Sequence, residues 1–503
     1  MLVLGLGGLL AWRAGVLERA SGPGPTPSPS PAPAPSPSPE PTPQPSPTTT
    51  PSPTPEPSPM PINSAFEGLT TFRGNASRSY YGSGPVPRDP QVLWRYPTTG
   101  GLCSTSSDEQ GVRLWCGTGW TGQPNVIVRD DGSIEVRIGA YDGAYHFLDG
   151  LTGEPIRPEL QTGDLAKGSA TSDPDGFPLY YGGSRDNLLR IVALDRREPT
   201  VLWTLDGATS VPSPVWNNDW DGAPLVIDGH LLVGGENSWF YVIELNRDYD
   251  RSGKVVVEPE IVLTVPGFDH ELMSALGDRN VSIEGSVAYH EGVAYFANSG
   301  GLVQGWDVSR VLEGGRKARR VFRFWTGEDT DATVVLDEEG YLYVGSELER
   351  FTARATEVGQ LMKLDPSRPD DPLVWSFPIP ERGLEGAGGV WATPALDGDT
   401  VYVATNAGDL IAVDRDTGRE RWRIRLVGPT WSSPVPVDDV LLQGDCGGTL
   451  HAFDISGRPN REPPELWSLD LGSCIESTPA VWDGMIYVGT RGGAIFGIGD
   501  RRG

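Results

Sequence analysis

The stretch Ala412-Val413-Asp414-Arg415-Asp416-Thr417-Gly418-Arg419-Glu420-Arg421-Trp422 decides the fold. Leu410, Ile411 and Val413 end one strand, and Trp422 opens the next. Between them Asp414 can bond to nearby backbone, and Gly418 tolerates the positive φ that a tight hairpin turn demands. The indole of Trp422 has the area to fill the gap between neighbouring sheets.

Degraded copies of this turn run along the chain. They are Phe147-Leu148-Asp149 with Thr152-Gly153, Ala193-Leu194-Asp195 with Trp203, Val242-Ile243-Glu244, Gly305-Trp306-Asp307, Lys363-Leu364-Asp365 with Trp375, Ala452-Phe453-Asp454 with Trp467, and Gly497-Ile498-Gly499-Asp500. With 412–422 they make eight turns. Each follows a strand-turn-strand pattern, clearest in Thr393 to Leu410 and repeated in Thr478 to Ile495. Four short strands per repeat, eight times over, predict an all-β, eight-bladed β-propeller of four-stranded antiparallel blades.

The ends of the chain fit that count. The last repeat stops at Gly503 without a Trp strand, whereas Asp89-Pro90-Gln91-Val92-Leu93-Trp94 near the start resembles Asp371-Pro372-Leu373-Val374-Trp375. The strand around Trp94 is therefore expected to complete the last blade and close the ring, which would remove an exposed sheet edge. Residues 63–503 give about 55 residues per repeat, so several loops must be long.

The Ala-x-Asp-x-x-Thr-Gly-x-x-x-Trp element, with Asp414, Thr417, Gly418 and Trp422 as docking residues and Trp94, Trp203, Trp375 and Trp467 in the same role, resembles the tryptophan-docking motif of the pyrroloquinoline quinone (PQQ) type propeller superfamily. That superfamily contains quinoprotein alcohol dehydrogenases and a non-enzymatic lipoprotein of the outer-membrane β-barrel assembly machinery. The dehydrogenase branch implies a pair of adjacent cysteines over the quinone, a Ca²⁺ ion held by acidic and amide side chains, and a catalytic Asp. This chain has no Cys-Cys pair and no Cys-x-x-Cys-His haem attachment site, so PQQ is not expected.

The four cysteines fall in loops of one face of such a ring. Cys103 and Cys116 bracket a hairpin-like insertion, and Cys446 and Cys474 lie in adjacent blades. The pairs Cys103–Cys116 and Cys446–Cys474 are the expected disulfides, although four cysteines permit three pairings and reduced buried thiols are the alternative. Disulfides suit an oxidising, extracytoplasmic site, whether secreted, periplasmic or on the cell surface.

Residues 1–21 read as an apolar export signal or anchor, interrupted by Arg13 and short of the about 20 residues of a membrane span. Residues 22–62 are rich in Pro, Ser and Thr and form an extended linker. A net charge of −27, from 67 acids against 40 bases, argues against nucleic acid, and contact with a membrane is expected only through the N-terminal segment.

Two loops alternate oxygen-bearing side chains before a Gly: Asn217, Asp219 and Asp221, and Asp248, Asp250 and Ser252. Ca²⁺ is the cation these loops could take, and solvated turns are the alternative. Loops over a rigid scaffold are the natural place for a ligand. On the cysteine-bearing face Trp120, Tyr141, Asp142, Glu236, Trp239, His270, Glu347, Trp391, Trp431 and Arg491 are the candidate ligand contacts. Their aromatics could present platforms for a sugar, a quinone or a peptide, or simply pack between blades. No catalytic residue is assigned. The expected function is non-enzymatic binding or scaffolding by a monomer on a Pro-rich stalk, with a protein, small molecule or glycan as partner. A PQQ-dependent or Ca²⁺-assisted oxidoreductase or sugar-active enzyme is the rival, and a sensor ectodomain a third reading.

Overall fold

The computed structural model describes residues 59–108, 111–119, 122–383, 386 and 388–501. The apolar N-terminal segment and nearly all of the Pro-rich tract lie outside them, as does Trp120. Eight antiparallel four-stranded blades follow one another in sequence order. Blade 6 is representative, with strands Ala395–Asp397, Thr400–Ala404, Asp409–Asp414 and Glu420–Arg425. Its second strand is buried throughout because both its faces meet neighbouring sheets, while its outer strand buries Trp422 and exposes Glu420 and Arg425 at its ends.

The eighth blade takes three strands from the C-terminal end and its outermost from Pro90–Tyr96, which pairs antiparallel with Ala494–Asp500. Blade 8 packs on blade 1 through Trp94, Val126, Val136, Ile138, Trp482 and Tyr487.

The Trp element has a specific geometry. In blades 2 to 8 the register between third and outer strands slips by one residue, as at Ala412/Val413. This β-bulge leaves Arg421 unpaired and sets Trp422 opposite Ala412, Trp467 opposite Ala452 and Trp94 opposite Gly497. The partner must be small where an indole crosses it: a Cβ on Gly497 would collide with the ring of Trp94.

The Asp-Thr-Gly turn receives the Trp of the preceding blade. Trp375 of blade 5 lies against Gly418 of blade 6, so closely that an added Cβ would sit 2.7 Å from the ring, and its Nε1 donates to Arg415 O at 2.9 Å. Trp94 of blade 8 donates likewise to Gly150 O of blade 1 at 2.9 Å. Asp414 holds the receiving turn by accepting from Thr417 N and Oγ1 at 2.8 and 2.7 Å, while Gly418 takes φ 68°.

One segment has no counterpart in the repeat. Residues 68–83 cross the inner strands and fill the channel between them. Gly68–Leu69 pairs with Val126–Ile127 of blade 1, and Gly82–Ser83 pairs with Val481–Trp482 of blade 8. Thr70 O, Ala76 O and Ser77 O accept from Ser172 N, Tyr289 N and Leu336 N of blades 2, 4 and 5. Two fully buried arginines complete the plug. Arg73 donates to Thr393 O and Pro394 O, and Arg78 to Ala223 O, Val287 O and Phe72 O. Burial lowers their pKa values to about 10 and about 9, so both remain charged at neutral pH.

Both expected disulfides are formed. Cys103–Cys116 closes the hairpin of strands Cys103–Asp108 and Gly111–Cys116. Among the described residues no helix is long and apolar enough to cross a membrane.

If the indole between blades carries the packing, Trp375→Ala should cost about 3–5 kcal/mol, because a large buried side chain leaves a cavity and Arg415 O loses its donor. Trp216→Ala, at a side chain 42% exposed, should change stability by no more than about 0.5 kcal/mol. Urea unfolding of the two variants beside the parent checks the contrast.

Candidate functional site

At one face of the ring every blade repeats a single backbone contact. A residue in the turn between its second and third strands donates its N–H to a carbonyl in the connection that enters the blade. The pairs are Tyr141 to Gly117, Arg185 to Leu165, Glu236 to Asp219, Ser299 to Ser282, Glu347 to Asp329, Asn406 to Gly389, Cys446 to Pro429 and Arg491 to Cys474, all at 2.7–3.0 Å. Two residues beyond each acceptor the chain reaches an equivalent position, because extended backbone repeats its side-chain direction every second residue. Those positions hold Gly119, Lys167, Asp221, Glu284, Asp331, Trp391, Trp431 and Glu476, one from each blade. The result is a ring of side chains at the channel end, with acids contiguous over blades 3 to 5 and tryptophans in blades 6 and 7.

The acids cluster in two triads, Asp221–Glu236–Glu284 and Asp329–Asp331–Glu347, whose oxygens lie within 4.8 Å of one another. Either triad could hold a metal ion, since hard carboxylate oxygens suit Ca²⁺ or Mg²⁺. The first already faces a cation: Lys167 Nζ is 2.5 Å from Asp221 Oδ2 and 3.3 Å from Glu236 Oε1. Burial alone would lower the Lys167 pKa, but Asp221 and Glu236 override it and hold the ammonium well above its usual range. Glu236 is correspondingly lowered, Lys167 outweighing its burial. Arg185 pairs with Asp219 at 3.1 Å, and Arg491 with Glu476 at 2.9 Å.

The second triad is poorer in cations. Its nearest base is Arg350, 3.6 Å from Asp329 Oδ2. Asp331 accepts from Ser299 Oγ at 2.9 Å and Trp391 Nε1 at 3.3 Å, but Asp329 Oδ1 has no hydrogen-bond partner among the described residues. Burial pushes Asp329 up to about 7 and, with Glu236 adding to it, Asp219 up to about 8. Glu284, Asp331 and Glu347 are raised well above the carboxylate range by burial first and by neighbouring acids second.

The aromatic side is equally ordered. Trp391 and Trp431 meet edge to face at 5.1 Å. Across the ring the 103–116 hairpin lays Trp115 against Tyr141 at 5.7 Å and under the guanidinium groups of Arg491 and Arg185 at 5.1 and 5.7 Å. The hairpin thus covers the basic side of the ring.

The ring and its neighbours therefore bring together Tyr141, Glu236, Glu347, Trp391, Trp431, Arg491, Asn217, Asp219 and Asp221, with Asn217 donating to Glu236 at 2.8 Å. Other expected contacts lie elsewhere. Asp142 binds His146 at 3.0 Å, and Trp239 donates to Ser213 O and packs on Phe268. His270 is exposed at the start of a short helix, His270–Ala275, capped by Asp269. Asp248 and Asp250 sit in an exposed hairpin turn, where Asp250 Oδ1 is used by Ser252 N, Ser252 Oγ and Lys254 N. No third carboxylate joins them among the described residues.

Lys167, Glu284, Asp329, Asp331 and Glu476 escaped the sequence reading. Their signal is a small residue directly after the ring position and Ser, Thr or Pro soon after, as in Glu476-Ser477-Thr478-Pro479 and Trp391-Ala392-Thr393-Pro394. PQQ, a tricarboxylate, does not fit this donor set: Lys167, Arg185 and Arg491 are each engaged by an acid, and the acidic ring positions of blades 4 and 5, Glu284 and Asp331, offer an anion no cation.

Carboxyls raised in the folded state contribute stability that is complete below their unfolded pKa of about 4 and is lost as pH rises through the folded values. With Asp329 near 7 and Asp219 near 8, the melting temperature should fall between pH 5 and 8.5. Glu347→Gln should flatten that fall in scanning fluorimetry. A profile level from pH 5 to 8.5 in the parent would contradict the buried, proton-holding cluster.

Comparison with known proteins agrees with the repeat. Residues 357–460 match a family model described as outer membrane protein assembly factor BamB. A protein of that name from Nitrosomonas eutropha is 29% identical over 105 residues, which is 21% of this chain and about a quarter (24%) of the relative's length. The quinohemoprotein alcohol dehydrogenase of Comamonas testosteroni superposes with a TM-score of 0.54 at 13% identity, over 88% of this chain and 82% of that one. The quinohemoprotein alcohol dehydrogenase ADHIIG of Pseudomonas putida HK5 gives 0.57 at 12% identity, over 87% and 80%. At such identity the likeness is one of fold. The eight blades with their tryptophan-docking turns make the chain an eight-bladed β-propeller, and these matches support a propeller similar to those of the PQQ type.

Proposed function

We propose that this propeller is a non-enzymatic binding or scaffolding protein that works outside the cytoplasm and receives its ligand at the acid-lined end of the channel. The observation that carries this reading is the ring itself. A buried arc of carboxylates exceeds its internal cations, beside paired tryptophans and over a channel filled by residues 68–83. Buried carboxyls with too few cations hold protons instead of charge, as the raised Glu284, Asp329, Asp331 and Glu347 do, and a positively charged group entering the arc would take the place of those protons. The basic groups that would hold an anionic quinone, Lys167, Arg185 and Arg491, are each paired with an acid. The two disulfides support an oxidising compartment, and the partial match to an outer membrane protein assembly factor supports a role in protein interaction.

The rival quinoprotein reading has a direct test. Purified protein incubated with PQQ and Ca²⁺ should show no stoichiometric quinone absorbance after desalting and no alcohol- or glucose-dependent dye reduction. A retained chromophore with turnover would replace the binding reading by an oxidoreductase.

A further inference from the structure

We propose that the second triad, Asp329, Asp331 and Glu347 with Glu284 beside it, is a binding site for a primary ammonium group, walled on its other side by Trp391 and Trp431. This rests on the binding-propeller reading and names the chemistry of its ligand.

The structure contains its own precedent. Blades 3 and 5 present equivalent positions: Asp219, Asp221 and Glu236 in one, Asp329, Asp331 and Glu347 in the other. In blade 3 the acids are met by the ammonium of Lys167, supplied by the ring position of blade 2. In blade 5 the corresponding neighbour is Glu284 of blade 4, so the acid set is repeated and its ammonium is not. Asp329 is 7% exposed, its Oδ2 lies 3.6 Å from Arg350, and its Oδ1 receives no N–H or hydroxyl donor among the described residues.

The wall decides between classes of cation. A metal ion is completed by oxygen ligands and water and gains nothing from indoles. An ammonium with its alkyl stem gains from both, through hydrogen bonds to carboxylates and attraction to aromatic faces. Trp391 stands in the ring position next to Asp331, its Nε1 3.3 Å from Asp331 Oδ2, and Trp431 in the next. Blades 4 to 7 thus offer acid, acid, aromatic, aromatic in order around the channel. The hairpin that covers Arg185 and Arg491 lies over the opposite side.

A linear polyamine and the lysine side chain of a partner protein share this chemistry. Isothermal titration at about 0.15 M salt with spermidine, with the peptide Gly-Gly-Lys-Gly-Gly and with its Nε-acetyl form separates them. At least one amine should bind saturably at one per chain. Affinity should drop at least tenfold in Asp331→Asn and in Glu347→Gln and severalfold in Trp431→Leu, and stay within twofold in Asp250→Asn. Spermidine binding alone assigns a free polyamine; peptide binding abolished by acetylation assigns a partner's lysine. The proposal is overturned if neither amine binds, if folded Asp331→Asn and Glu347→Gln bind as the parent does, or if Ca²⁺ occupies the site and spermidine cannot displace it. None of these outcomes alters the PQQ and dye-reduction result, so the two readings can fail separately.

Discussion

The docking of one blade's outer-strand indole onto the next blade's turn is the interaction on which the rest depends. A four-stranded blade has two apolar faces and cannot bury either alone, so it is stable only between neighbours. Separate clusters of buried side chains fill successive interfaces, such as Leu189, Ile191, Val226 and Leu231 between blades 2 and 3, and Val335, Tyr343, Val401 and Ile411 between blades 5 and 6. Trp203, Trp375, Trp422, Trp467 and Trp94 hold the outer edge in blades 2, 5, 6, 7 and 8, while Leu263 and Phe322 take the same register position in blades 3 and 4, and the repeated backbone bond between turn and entering connection pins the inner edge. With both edges fixed, the ring position is free to be Gly, Lys, Asp, Glu or Trp without disturbing the scaffold. Function can therefore be written there.

That freedom has a thermodynamic consequence. The inner end of the channel holds charge of both signs: two guanidinium groups in the plug, bonded to carbonyls, and an acid-rich ring. Ala223, whose carbonyl binds Arg78, is only two residues past Asp221, which in a strand is about 7 Å. Val287 is likewise three residues past Glu284 and also binds Arg78. The plug's guanidinium groups thus bond to carbonyls only two or three residues past two of the ring acids, and not to the carboxyls themselves. Buried ionic groups seldom add net stability compared with an apolar core of equal volume.

The architecture was legible in the sequence because its determinants are local. Asp414, Thr417, Gly418 and Trp422 each act within a few residues, and their copies recur at blade spacing. The two cysteine pairs and Glu236, Glu347, Trp391 and Trp431 were also visible, as polar or aromatic residues in turns of one face. The plug was not, because residues 68–83 carry no repeat and are held by partners more than 300 residues away, as Arg73 is by Thr393. The ring was hidden for a related reason. Its eight members share a backbone position and no residue type, so a search by chemistry finds Asp219 and Asp221 as a loop pattern and overlooks that Lys167, Glu284 and Asp331 stand in register with it. The Asp248–Ser252 loop shows the converse: it has the look of a cation loop, but its carboxylate is consumed by its own turn.

The same register explains where the two disulfides lie. Cys446 is the turn residue of blade 7 and Cys474 the carbonyl-bearing residue of blade 8, both members of the repeated backbone contact. Their bond joins two adjacent copies of that contact across a blade boundary, between the ring positions of Trp431 and Glu476. In a repeat protein whose stability is a sum of neighbour interfaces, a covalent link at one boundary resists local opening there. The Cys103–Cys116 bond acts on the hairpin that holds Trp115 over Arg185, Arg491 and Tyr141. Both bonds therefore brace the blade 7 to blade 2 half of the ring, where the aromatic wall begins and the basic side is covered. The acid arc of blades 3 to 5 has no such brace among the described residues, and its geometry rests on backbone bonds and on its pairs with Lys167, Arg185 and Arg350.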